Sequence, residues 1–153
     1  MNLKERIILR NFCFFYKGTI MSGKINIVNI HTTDCSNVEN YYYIGRSRSG
    51  NPLSNPFTHN GKKSSLAKLS FKTRDEAIDA YEKYFKAAYG QPGYEDLTNA
   101  FNEIYEKYKN GEDITLGCFC YPLRCHGNIL ASQLQKKLIR EKIAERKSRS
   151  ENA

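Results

Sequence analysis

Apolar positions switch between strand-like and helix-like periods along this chain, and the switches outline its elements. Residues 25–30, Ile-Asn-Ile-Val-Asn-Ile, are rich in β-branched side chains and predict a strand; Tyr41-Tyr-Tyr-Ile-Gly45 predicts a second that ends at glycine. Arg46 to Gly61 then sets Ser47, Ser49, Gly50, Asn51-Pro52, Asn55-Pro56 and Asn60-Gly61 close together, a spacing of turn residues that predicts one long loop. Thr73-Arg-Asp-Glu76 has the form of a capping box, and the helix it opens places Ala77, Tyr81, Tyr84, Phe85 and Ala88 on one face. Gly90 to Gly93 stops it. A second helix aligns Leu97, Phe101, Ile104, Tyr105 and Tyr108 before Asn110-Gly111. Ile114 to Cys120 alternates as a third strand, with Ile114, Leu116, Cys118 and Cys120 on one side. From about Asn128 a third helix carries Ile129, Leu130, Leu134, Leu138 and Ile139 on its apolar stripe, then fades into a basic tail.

The order strand, strand, long loop, helix, helix, strand, helix predicts an α/β fold, a small single-domain sandwich with a mixed, partly parallel sheet flanked by helices. The expected domain covers residues 21–140, preceded by an extension over 1–20 and followed by a basic flexible tail over 141–153. Within the extension, Lys17-Gly18 can be encoded by purine-rich triplets resembling a ribosome-binding site, so translation is expected to start at Met21; peptides from residues 1–20 in protein made from the native locus would overturn this.

Composition narrows the class. With 40% apolar and 26% charged residues, the chain has the balance of a globular protein. It holds no apolar run long enough for a membrane span and no secretory leader pattern, which predicts a cytoplasmic protein with no membrane partner. Five cysteines, an odd number, argue against a secreted disulfide scaffold. The net charge of +8 suggests nucleic acid, but its placement does not. Residues 136–153 hold seven Lys and Arg against three Glu, residues 1–20 hold four against one, and the stretch between carries a net charge of only +1. A basic tail of this kind is usually a solvated appendage, and weak nucleic-acid contact through it is the lesser alternative.

Candidate chemistry concentrates in Leu116-Gly-Cys-Phe-Cys-Tyr-Pro-Leu-Arg-Cys-His-Gly127, where three of the cysteines and a histidine gather at a strand-to-helix turn. Three functional readings fit. Cys118, Cys120, Cys125 and His126 have the chemistry of zinc ligands, though not the usual paired-knuckle spacing, and would make a zinc-stabilised nucleic-acid-binding module. Cys125, at a helix N-terminus beside Arg124, has the setting of an activated thiolate nucleophile with His126 as base, which suits a transferase or hydrolase. The leading reading is a binding crevice for a nucleotide-like small molecule, since the 46–61 loop and the 120–127 turn both fall at carboxyl ends of strands, where α/β sheets hold ligands. Its residues are Gly45, Arg46, Asn55, Pro56, Phe57, Arg124, Cys125, His126 and Gly127. Gly127 and the helix N–H groups would cradle an anion, Arg46, Arg48 or Arg124 would pair with it, and Tyr41, Tyr43 or Tyr121 would stack on it. Against these stands plain packing: buried cysteines behave as small hydrophobes, and the lone His31 and His59 read as structural or exposed.

Four motifs carry a resemblance: Tyr43-Ile44-Gly45-Arg46, Ser54-Asn55-Pro56-Phe57, Arg74-Asp75-Glu76-Ala77, and Cys118-Phe119-Cys120-Tyr121-Pro122-Leu123-Arg124-Cys125-His126-Gly127. Over roughly residues 25 to 135 the chain resembles a group of small phage and bacterial proteins classed as a domain of unknown function. Ser54 stands where glycine is usual in that group, and Phe119 where an aromatic, often Trp, is common. The resemblance implies an α/β fold and a phage-like or mobile-element origin. It implies no activity or cofactor.

Overall fold

The computed structural model describes residues 22–60 and 66–152. The expected extension over residues 1–20, with Cys13, the start at Met21 and the loop end at Gly61 lie outside them. In chain order the elements are β1 (Ile25–Asn29), β2 (Tyr41–Tyr43), β3 (Phe57–Thr58), β4 (Leu69–Ser70), α1 (Arg74–Ala88), α2 (Glu95–Lys109), β5 (Ile114–Cys118) and α3 (His126–Glu151). The protein is α/β. β5 lies between β1 and β2 and pairs parallel with both, while β3 and β4 form a separate parallel pair. Parallel pairing is complete among the described strands, beyond the partly parallel sheet expected, because the chain joins them by crossovers and never by a tight hairpin. β3 interrupts the stretch read as continuous loop. A two-residue strand is too short to leave a period in sequence.

Register explains the core. Ile25 and Ile27 on β1, Tyr42 on β2, and Ile114 and Leu116 on β5 share the face that joins the helices in one hydrophobic cluster. Thr115 and Gly117 point to the other face, yet all five β5 residues are buried. The Tyr41 ring lies across Gly117, where an added Cβ would collide with it. Glycine here makes room for an aromatic cover on this face of the sheet.

The helices form for local reasons. The Glu76 N–H donates to Thr73 Oγ1 at 3.2 Å and the Thr73 N–H donates to the Glu76 carboxylate at 3.2 Å, completing the predicted capping box. α1 buries Ala77, Ile78, Tyr81, Phe85 and Ala88, with Tyr84 half-buried at the margin. α2 buries the five residues expected of it. α3 starts two residues earlier than its pattern suggested and continues to Glu151, so the segment expected as a flexible tail is helical. At 26 residues the helix is roughly 39 Å long and outruns the short sheet. Ile139, expected in the core, is 56% exposed while its neighbour Leu138 is buried, because it lies off the packed face of the helix. Ion pairs Lys137–Glu141 and Lys147–Glu151 support the outer turns, and Lys109 ties α2 to Glu141 at 2.7 Å.

Gly117→Ala is expected to lower stability by about 1–3 kcal/mol, the usual scale of overpacking. Urea unfolding would register this as a lower midpoint; an unchanged midpoint would mean that the Tyr41 ring does not need the space.

Candidate functional site

A cavity of about 370 Å³ opens off the carboxyl ends of β2 and β5. Gly45 and Arg46 follow β2 into it, the loop contributes Asn55, Phe57, Thr58 and His59, α1 contributes Arg74, and the cysteine turn contributes Phe119, Cys120, Cys125 and His126.

The loop is polar in composition but stapled in place. Asn51 Nδ2 donates to the carbonyls of Tyr43 (2.7 Å) and Gly45 (3.1 Å), while its Oδ1 accepts the Leu53 N–H. Arg46 Nη1 donates to the carbonyls of Asn55 and Phe57, both at 2.9 Å. Asn55 Oδ1 accepts the Phe57 N–H, and the buried Tyr81 hydroxyl donates to the Leu53 carbonyl. The cysteine turn, which contains a cis Tyr121–Pro122 bond, is held as firmly. Asn29 Nδ2 donates to the carbonyls of Phe119 and Tyr121, and Arg124 pairs with Asp75 and Asp79 on α1.

His126 is the first residue of α3 and is buried. Its Nε2 lies 2.7 Å from the Ile44 carbonyl. A carbonyl only accepts, so Nε2 carries the proton and Nδ1 holds the lone pair. Burial drives its pKa down to about 4; the Arg46 charge adds to this and the Ile44 carbonyl opposes it. The imidazole is neutral and meets the Tyr81 ring edge-on, with centroids 5.2 Å apart.

Cys118 and Cys125 are buried free thiols whose sulfurs lie 3.3 Å apart. Cys125 caps α3, its sulfur accepting the Asn128 N–H while Asn128 Oδ1 accepts the Cys125 N–H at 2.8 Å. The pair loses its first proton easily. The hydrogen bond from Cys125, opposed by burial and reinforced by the N–H groups of Tyr121 and Cys120, brings Cys118 down to about 6. A second negative charge so close is strongly resisted, and the Cys125 contact with Cys118, with burial, pushes its proton loss far up.

Of the residues expected at the site, Gly45, Arg46, Asn55, Phe57, Cys125 and His126 meet in this cavity, and Pro56, Arg124 and Gly127 stay out of its lining. Arg124 is spent on the two α1 aspartates. Gly127 faces the core, where a Cβ would stand 3.0 Å from Ile44 Cδ1, so the missing side chain allows the helix to approach the sheet. Tyr41 covers Gly117, Tyr43 donates to the Arg46 carbonyl, and Tyr121 is exposed; the aromatic at the cavity mouth is Phe119, flanked by His31 and Tyr43. Arg48 is exposed on its loop. The four proposed zinc ligands do not converge: among the described residues, no group of three or more His, Cys, Asp or Glu is placed to hold a metal ion. The nucleophile–base pair does not form either, since Cys125 engages Cys118 and the α3 backbone while His126 engages Ile44.

Sequence reading missed Arg74, His59 and Thr58 as site residues. Arg74 was legible as the residue after a helix cap and as part of the Arg74-Asp75-Glu76-Ala77 motif, with no site role attached. With Arg46 it gives the lining, among the described residues, two guanidinium groups and no carboxylate. His59 feels both: burial lowers its pKa first, and the charges of Arg74 and Arg46 lower it further.

Fold and site together define a small parallel α/β protein with a cationic, ligand-sized cavity at its strand ends. Residues 28–136, from β1 into α3 and spanning the whole cavity, match the family described as Domain of unknown function (DUF4326), and the chain belongs to that family. No curated protein and no solved structure matches it. Among the described residues no helix is long and apolar enough to cross a membrane.

His126 makes stability pH-dependent. Its folded pKa of about 4 lies below the ordinary 6.5, so between these values the unfolded chain takes up a proton that the native imidazole refuses. Its contribution is complete above about pH 6.5 and is lost as pH falls toward 4, by up to about 3 kcal/mol. Urea unfolding at pH 7.5 and 4.5 checks this: the drop in stability should shrink in His126→Gln, and an equal drop in both proteins would contradict it.

Proposed function

We propose that this protein binds an anionic, nucleotide-like small molecule in the cavity between the 46–60 loop, α1 and the cysteine turn. The observation that carries the reading is the charge of the lining, where Arg46 and Arg74 stand with no acidic residue among the described ones. Such a wall repels cations and favours phosphate or carboxylate. The volume of about 370 Å³ suits a small ligand. Arg46 is fixed by its bonds to two loop carbonyls, so little side-chain freedom is lost when an anion arrives. Phe119, 48% exposed at the mouth, offers a flat face to a base. A phage-encoded protein acting in the host cytoplasm on a nucleotide signal fits this chemistry. Thiol-dependent turnover is the second reading, favoured by the position of Cys125 in the cavity wall.

Titration calorimetry with AMP, inorganic phosphate and adenosine tests the proposal. AMP should bind more tightly than adenosine, and Arg74→Gln should weaken AMP binding roughly ten-fold, the scale of one charge-assisted hydrogen bond. Absence of saturable binding by AMP and phosphate, or equal binding of AMP and adenosine, would sink it.

A further inference from the structure

Two thiols lie in contact where the cavity meets the core, and neither anion binding nor packing requires both. We propose that Cys118 and Cys125 are a redox-active dithiol, oxidised to an intramolecular disulfide by a small peroxide entering the cavity and restored by a thiol reductant.

The placement carries this. The sulfurs are 3.3 Å apart, and a disulfide bond of ~2.05 Å lies within small side-chain rotations of that separation. Cys125 lines the cavity and Cys118 lies behind it, so one thiol can meet an oxidant while the other waits beside it. Each sulfur also accepts backbone N–H groups, Cys118 from Cys120 and Tyr121, Cys125 from Gly127 and Asn128 at the α3 N-terminus. Those donors stabilise one negative charge shared over the pair, which is the state that attacks. Both residues are only 1% exposed, which restricts the oxidant to a small one.

The chemistry balances. The proton the pair retains passes across the 3.3 Å contact from Cys125 to Cys118, and the Cys125 thiolate so formed attacks one peroxide oxygen as the O–O bond breaks. With hydrogen peroxide, the departing hydroxide takes up a proton to give water and Cys125 becomes a sulfenic acid. Cys118 then attacks the Cys125 sulfur, the S–O bond breaks, and the hydroxyl leaves as water with the Cys118 proton. The pair has lost two electrons, and one peroxide has become two waters. The inference holds whether or not the cavity binds a nucleotide.

The experiment uses the full reduced chain treated with stoichiometric hydrogen peroxide, alkylated, digested with trypsin and mapped by mass spectrometry with and without reductant. Cleavage after Arg124 separates the two cysteines, leaving Cys118 and Cys120 on one peptide and Cys125 on the next. The expected result is a covalent link between these peptides, lost on reduction and retained in Cys120→Ser. In Cys118→Ser, dimedone should instead trap a sulfenic acid on Cys125. Complete alkylation of both residues in the wild-type chain, irreversible over-oxidation of Cys125 without a link, or a link that disappears in Cys120→Ser would each overturn the proposal; the wild-type map decides even if Cys118→Ser does not fold.

Discussion

The hydrogen bond from His126 Nε2 to the Ile44 carbonyl joins the start of α3 to the end of β2, and the site is built around that join. The bond requires a neutral, Nε2-protonated imidazole, and burial at a helix N-terminus favours that form. Ile44 is fully buried and has no strand partner beyond its own N–H bond to Gly117, so its carbonyl needs a donor from outside the sheet. Gly127 lets the helix come close enough to supply one. Once α3 is set there, Cys125 meets Cys118, the turn between them is confined to the cavity edge, and Arg124 reaches the α1 aspartates.

The charges around the cavity are sorted by the same packing. Asp75 and Asp79 lie one and five residues beyond Arg74 on α1, yet they face Arg124 while Arg74 faces the cavity. The acids are neutralised outside and the guanidiniums remain within. A nearly neutral body thus contains a locally positive pocket, which net charge alone would not disclose.

Much of the fold was legible because its signals are local. The Thr73–Glu76 box, the α2 stripe from Leu97 to Tyr108 and the β-branched run of β1 all reflect chemistry within a few residues of chain. The candidate site was legible in part for the same reason: Gly45-Arg46, Asn55 and Cys125-His126 stand at strand ends and turns, where α/β folds place their crevices. The errors came from distance. Tyr41 and Gly117 lie far apart in the chain, and nothing local marks one as the cover of the other. Arg124 reads as an anion-binding arm until α1 brings two carboxylates to it. His59 and Arg74 look ordinary until the loop and the helix face the same space.

The identity of the longer elements, the capping of α1 and the position of the cysteine turn were settled by the order of residues alone, since backbone preference and period act at short range, whereas the two-residue strands β3 and β4 were not. Which side chains line the cavity, which cysteines touch, and which charges are already paired were settled only when β5 took the centre of the sheet and α3 docked on it. Those facts depend on contacts between residues tens of positions apart, and a linear sequence carries no measure of such distances.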